Sequence, residues 1–561
     1  MMQTKSLIPN GRFYLALFLA LGVWLLMQPL TAYADTITIT QTLDAGVGTL
    51  RQAIADAAPG DTIVFDASLS GQTITLSSTL EITQDLTLDG SALVTPVTLS
   101  GDDAVRIFKV TNNARVTLDS LAIVHGLDTS IECLGASCGG GLYNDSGIVA
   151  IHAVTFTAHT AGRGAAIYNA AGVVSITGSL IRDNAATVGG GGGIANYATL
   201  IVAGSTISNN ITPPGGLQGG GIFNANTATL TATHTTFQNN TPTGAGGGVA
   251  NQGAATIANC HFIGNSTPST IGGGGVYNSG VMILKASTFS GNSVTNRGGA
   301  IYHSTGRLSV IDSTFSNNAA GSYGGAIMNW NGALAVANST FTANTATNGG
   351  ALANSGYNTT SSSGISATAM ISNSTFSNLN TASAYGGAIY NRAGNLFSAA
   401  VTATLTLVNS TIAGNHAQDG GGVAARVDST GGLVTATLTL HNSIVYSNTA
   451  AGTGPNCANS GATLVGNAHN LFPSAADGCP LGAADVATDA AVEAIMAALA
   501  DNGGPTPTRA IVAGSPALDA GNDAVCPAAD QRGLTRPYGA ACDIGAYEAA
   551  AELGLTKTVT P

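Results

Sequence analysis

The chain has 561 residues, of which 8% are charged and 75 are Gly, with 17 Lys and Arg against 29 Asp and Glu for a net charge of −12. Ordinary soluble proteins carry roughly a quarter charged residues and ~7% Gly, so this surface is built from something other than Lys and Glu. Low charge with 44% apolar residues excludes a disordered chain; beyond residue 30 no apolar run reaches the ~20 residues of a bilayer span, and the absence of a basic cluster excludes nucleic acid as a partner.

Lys5 and Arg12 precede an apolar stretch from Phe13 to Met27, and Ala32-Tyr33-Ala34 supplies the small-x-small pattern of a cleavage site. Residues 1–34 therefore read as a secretory signal, with everything after them exported. The alternative, an uncleaved anchor, has an apolar run short for a span. Leu50, Ala53, Ile54 and Ala57 fall at i, i+3, i+4 and i+7 before Pro59-Gly60, which predicts a short amphipathic helix. Asp61 to Phe65 and Glu81 to Leu88 read as the first strands, so residues 35–138 form an N-terminal cap and first coils.

A repeat then takes over. Gly140-Gly-Leu-Tyr-Asn144 returns with its last residue at Asn169, Asn196, Asn224, Asn251, Asn278, His303, Asn329, Asn354 and Asn391, at spacings of 25 to 28 residues with one of 37. About fourteen residues later most units carry a second motif, such as Ser287-Thr-Phe-Ser-Gly-Asn292 or Ser313-Thr-Phe-Ser-Asn-Asn318. Between them lies an alternating stretch such as Arg307-Leu-Ser-Val-Ile311, so one unit reads as three short strands separated by Gly, Asn and Ser turns. Gly at this density leaves no helical stripe, each interior Gly costing a helix about 1 kcal/mol. Three strands per ~26 residues close a core only by stacking coil on coil at ~4.8 Å. The fold expected is all-β, a right-handed parallel β-helix of the pectate-lyase-like kind, about sixteen coils and roughly 75 Å long, with a capping helix at its N-terminal end.

In that fold Asn144, Asn169, Asn196, Asn224, Asn251, Asn278, Asn329, Asn354 and Asn391 are structural: stacked corner amides that bond their neighbours, as buried polar groups must. Their rival reading as glycan acceptors loses to the periodicity, and His303 reads as a substitute rung. The repeats occupy 139–470, with loops near Tyr357 to Ile365 and Arg392 to Ala400. Residues 471–550 are expected to form a C-terminal cap, with Val492, Ile495, Met496 and Leu499 at helical spacing, and 551–561 to begin a further module. Of seven cysteines, Cys133 with Cys138, Cys457 with Cys479 and Cys526 with Cys542 are the disulfide candidates, although six cysteines allow 15 connectivities. Cys260 is left over.

The paired repeat motifs resemble those of the chlamydial polymorphic outer-membrane proteins over about residues 139 to 450. Thr49 to Ile54 with Gly60 to Phe65 is similar to the N-terminal segment of large exported bacterial β-helix proteins, and Asp501 to Thr508, Gly514 to Gly521, Asp530 to Gly533 and Cys542 to Glu548 resemble the C-terminal part of choice-of-anchor surface proteins. The resemblance implies an exported, envelope- or outer-membrane-associated, adhesin-like protein, whose partner would be a surface glycan or a host or cell-surface ligand. It departs from the polymorphic proteins after the solenoid, where no run of ~10-residue alternating strands follows.

Parallel β-helices also host pectate lyases and polygalacturonases, so a polysaccharide lyase or glycoside hydrolase is the alternative. Hydrolysis needs two carboxylates about 5 to 10 Å apart, and a lyase needs acids around Ca²⁺ plus a base. Between Glu132 and Glu493 there is no Glu, and from 146 to 418 the only Asp residues are Asp183 and Asp312. No catalytic, cofactor or metal residue is therefore assigned. Asp102-Asp103 near Arg106 and Lys109 is the best carboxylate pair, read as a loop; Asp519, Asp523, Asp530 and Asp543 with Arg532 and Arg536 read as structural ion pairing, with a modest structural Ca²⁺ site as the alternative.

Overall fold

The computed structural model describes residues 34–549 except 134, 213–217, 359–363, 396–399, 430–432, 467–468 and 475–476. The expected signal peptide and the segment 551–561 lie outside the described residues. What is described is almost entirely parallel strand, wound into a right-handed β-helix. One coil runs Ile194–Asn196, Thr199–Ala203 and Thr206–Ser208, and these three strands belong to three different long sheets. The first sheet, of five-residue strands, has 16 members, the second, of the Thr-Phe-Ser type, 16, and the third, of the x-Tyr-Asn type, 14.

Register follows the repeat residue for residue, with Asn196 opposite Asn224 and Phe289 opposite Phe315. Like therefore stacks on like. Phe237, Phe262, Phe289, Phe315, Phe341 and Phe376 form a column with successive centroids 4.4 to 4.8 Å apart, every ring fully buried. Each contributes about 1.5–3 kcal/mol of burial, and the inter-strand spacing itself sets the stacking distance. The tight entry to the third sheet explains the glycines. Gly219 has φ +74° with a would-be Cβ 2.3 Å from the carbonyl of Ile222, and the next residue, Gly220, faces the Gly247 carbonyl of the following coil at 2.6 Å. The first position requires a left-handed backbone and the second a missing side chain.

The helix predicted after Thr49 spans Leu50–Asp56 (α1); Thr49 Oγ1 accepts from Gln52 N, and Leu50, Ala53 and Ile54 are buried against the first coil. At the far end the architecture differs from the expected helix over Val492 to Leu499. Val492–Ala494 is a 3₁₀ turn, and Met496–Ala500 is a strand paired antiparallel with Thr508–Ile511. Val486–Ala487 is the last strand of the second sheet, and residues 492–548 then lie along the flank of the solenoid, over that sheet's outer face. The reason is local: Ala413, Ile444 and Tyr446 stand at outer positions where the four coils from Thr288 to Ser377 carry Thr and Ser, and Ile495, Met496, Ile511 and Ile544 cover them. Crossing the last coil is the Cys457–Cys479 loop, whose Asp477 carbonyl accepts from Cys457 N.

The same three cysteine pairs are joined in the structure, and Cys260 is free and buried. Its place is explained by register. Cys260 N donates to Ser287 Oγ, Ser287 N to Ser313 Oγ, and Ser313 N to Ser339 Oγ, so Cys260 fills one rung of a serine column. Near residues 357 and 392 the chain does not simply loop out. Strands of the third sheet lengthen to seven residues (Leu352–Asn358, Ile389–Asn395) and those of the first to eight (Ile365–Ser372, Val401–Val408), making a flange with Ala393, Val401, Ala403 and Ala436 inside.

Candidate functional site

Alternation along each third-sheet strand points the first and third residues inward and the middle one out. The nine repeat asparagines are third residues, and all are 0% exposed. Asn144 Nδ2 donates to Asn169 Oδ1 at 2.8 Å, Asn169 to Asn196, Asn196 to Asn224, Asn224 to Asn251 and Asn251 to Asn278. Asn329, Asn354 and Asn391 continue the ladder. His303 interrupts it: its Nδ1 faces Asn278 Nδ2 at 3.0 Å, while its Nε2 and Asn329 Oδ1 have no partner. Burial pulls the His303 imidazole down to about 4. A second ladder, legible in the Ser-Thr-Phe-x-x-Asn motif but read there as a turn, runs inside the next corner. Asn184, Asn210, Asn240, Asn265, Asn292, Asn318, Asn344, Asn380, Asn415 and Asn448 each pass Nδ2 to the next Oδ1. Both ladders are sealed from any ligand.

The middle residues are what the third sheet presents outward. Tyr143, Tyr168, Phe223, Tyr277, Tyr302 and Tyr390 share one column, in register with Ala and Met elsewhere. Flanking residues fold over them. Arg163 Nη1 donates to Tyr197 Oη, Arg297 lies 4.1 Å over the Trp330 ring, and Arg392 lies 4.5 Å over Tyr357 while donating to Tyr323 Oη at 2.9 Å. Arg426 lies 4.7 Å over Tyr385. Asp428 accepts ion pairs from both Arg392 and Arg426. Burial, with the hydrogen bond to Asp145, pushes the Tyr143 hydroxyl up to about 12, and burial raises Tyr302 and Tyr390 as well. The rings stay neutral at physiological pH, forming a dense aromatic–guanidinium row from coil to coil. Its densest part, Arg297 to Asp428, lies beside the flange.

The carboxylates are elsewhere or engaged. Asp103 faces His125 at 3.2 Å, whereas Arg106 pairs with Asp128 at 2.8 Å and with Glu132, which also holds Lys109; the Asp102-Asp103 turn and its expected cations do not meet. In the C-terminal segment Asp530 pairs with Arg532 and Glu548 with Arg536, both nearly sealed. Asp543 and Asp519 bond backbone N–H groups. Asp523, Cys526 and Cys542 offer atoms within 4.8 Å of one another, but both sulfurs belong to one disulfide, which removes them as thiolate ligands.

A model of the Chlamydia polymorphic membrane protein repeat matches residues 286–304 and 312–329, two stretches that each end on the outer column and the ladder. No curated protein matches the chain. Among solved structures, the crystal structure of pectate lyase Pel9A is similar at 12% identity and a TM-score of 0.21, covering 92% of this chain and 96% of that one. By its own sheets the chain is a parallel β-helix, and two of its stretches resemble the Chlamydia polymorphic membrane protein repeat.

Proposed function

We propose that the protein is an exported, cell-surface or outer-membrane-associated β-helix with an adhesin-like, non-catalytic role, recognising a glycan through the outer face of its third sheet. The observation that carries this is the row of half-buried Tyr197, Tyr277, Tyr323, Trp330, Tyr357 and Tyr385 with their arginines along that face, the remaining column rings being buried beneath. Ring faces pack on the C–H faces of sugars, and guanidinium groups bond their hydroxyls. Of the two acids at its densest part, Asp428 is neutralised by two arginines and Asp419 Oδ1 is held by the backbone N–H and hydroxyl of Thr453, unlike a general acid or base awaiting a substrate. Likeness to the Chlamydia repeat supports a surface location.

The test uses the secreted chain on a glycan array and in pull-downs with insoluble polysaccharides, alongside reducing-sugar and unsaturated-product assays with and without Ca²⁺. Saturable binding without turnover is expected. Turnover would replace this reading by that of a polysaccharide lyase or hydrolase, and no binding to any glycan would end it.

A further inference from the structure

The outer column of the third sheet is filled by a ring at Tyr390 and then by Ala424 and Ala458 in the next two coils. Where the rings stop, a pit opens, with a volume of about 220 Å³. Tyr385, Asp419, Arg426 and Ser460 line it. This is smaller than the ~300–1,000 Å³ of sites for drug-sized molecules, and suits one six-membered sugar ring.

We propose that this pit takes a single neutral pyranose unit of the glycan. The inference rests on the glycan-binding reading above. Charge decides the class: Arg392 and Arg426 are matched by Asp428, which pairs with both, and by Asp419, so the four groups sum to zero. Asp419 Oδ1 is fixed by the backbone N–H and hydroxyl of Thr453, at 2.8 and 2.7 Å, and a carboxylate held in this way accepts hydroxyl protons of a sugar but repels a uronate. Arg426, lying 4.7 Å over the Tyr385 ring, adds guanidinium donors beside this acceptor for the hydroxyls of the sugar. Alanine at 424 and 458 makes the room.

Isothermal titration of the full secreted chain with neutral hexasaccharides (β-glucan, galactan, mannan) and with oligogalacturonate tests this. Ala424→Phe refills the pit with the ring type that the column accepts at Phe223, and Asp419→Asn removes the acceptor charge without filling space. At least one neutral oligomer is expected to bind, with affinity falling at least tenfold in Ala424→Phe and about fivefold in Asp419→Asn. Thr231→Ala, on the outer face of the first sheet, should bind as the parent does. Neutral-oligomer binding unchanged in both pit variants would overturn the pit while leaving glycan recognition elsewhere on the face intact. Binding of oligogalacturonate alone would overturn the neutral class, and binding of none would overturn pit and glycan reading together.

Discussion

His303 is the residue at which the inner ladder is least satisfied. Two buried polar atoms, its Nε2 and Asn329 Oδ1, go unpaired, each at a cost of about 1–3 kcal/mol. His303→Asn should restore the rung and raise the melting temperature, whereas Asn251→Ala, which removes an interior rung, should destabilise by about 2–3 kcal/mol. The same histidine sets a pH dependence. Buried neutral, His303 and His159 both sit at about 4 against an ordinary 6.5, so between those values the unfolded chain binds protons that the folded chain refuses. Stability is therefore complete above about 6.5 and falls as pH drops toward 4, by roughly 3 kcal/mol per site. Melting curves at pH 7 and 4.5 should show a smaller difference for His303→Asn than for the parent; an equal difference would assign the effect to other groups. At this scale the repeat asparagines were legible because their period is one coil. Arg163, Arg297 and Tyr385 before the Gly pairs, and Trp330, Arg392 and Arg426 after the third strand residue, were not read as a set, because they share no residue type and meet only through stacking. Their fixed offset from the motif is the signal that would have found them.

The flanking segment 492–548 is the element least legible in the sequence. Helical spacing at Val492, Ile495, Met496 and Leu499 cannot by itself tell a helix from a turn followed by a strand, and the apolar patch that draws the segment sideways arises from residues in separate coils. Gln531 pins it: fully buried, it accepts from Thr375 Oγ1 at 2.6 Å and donates to Thr340 and Thr506 Oγ1. Gln531→Ala leaves those hydroxyls short of partners, and faster hydrogen exchange should appear across 492–548 before the coils themselves. In contrast, Phe289→Ala empties the centre of the ring column, and its cost of about 3–5 kcal/mol should open neighbouring coils first. The N-terminal helix was legible, since Thr49, the apolar spacing and Pro59-Gly60 all agree on it.

As a whole the molecule is a rod whose stability sums nearest-neighbour coil contacts; its scattering should report a long axis near 75 Å, and its unfolding should depart from a single cooperative step. Composition now has a cause: Asn, Ser, Thr and Gly turns cover the rod where Lys and Glu cover globular proteins. One property follows from the direction of the ladders. Backbone dipoles in a sheet nearly cancel, but apart from the break between His303 and Asn329 the rungs of both asparagine ladders donate toward the C-terminal end. The aligned side-chain amides thus give the rod an axial polarity of the kind an α-helix owes to its peptide groups, with positive potential gathering at the C-terminal end. Two carboxylates stand there: the second ladder ends with Asn456 Nδ2 donating to Asp477 Oδ2 at 2.9 Å, and the serine column ends with Asn470 donating to Asp485 Oδ1. A β-solenoid so built is electrically directional, and its two ends offer opposite fields to whatever approaches them.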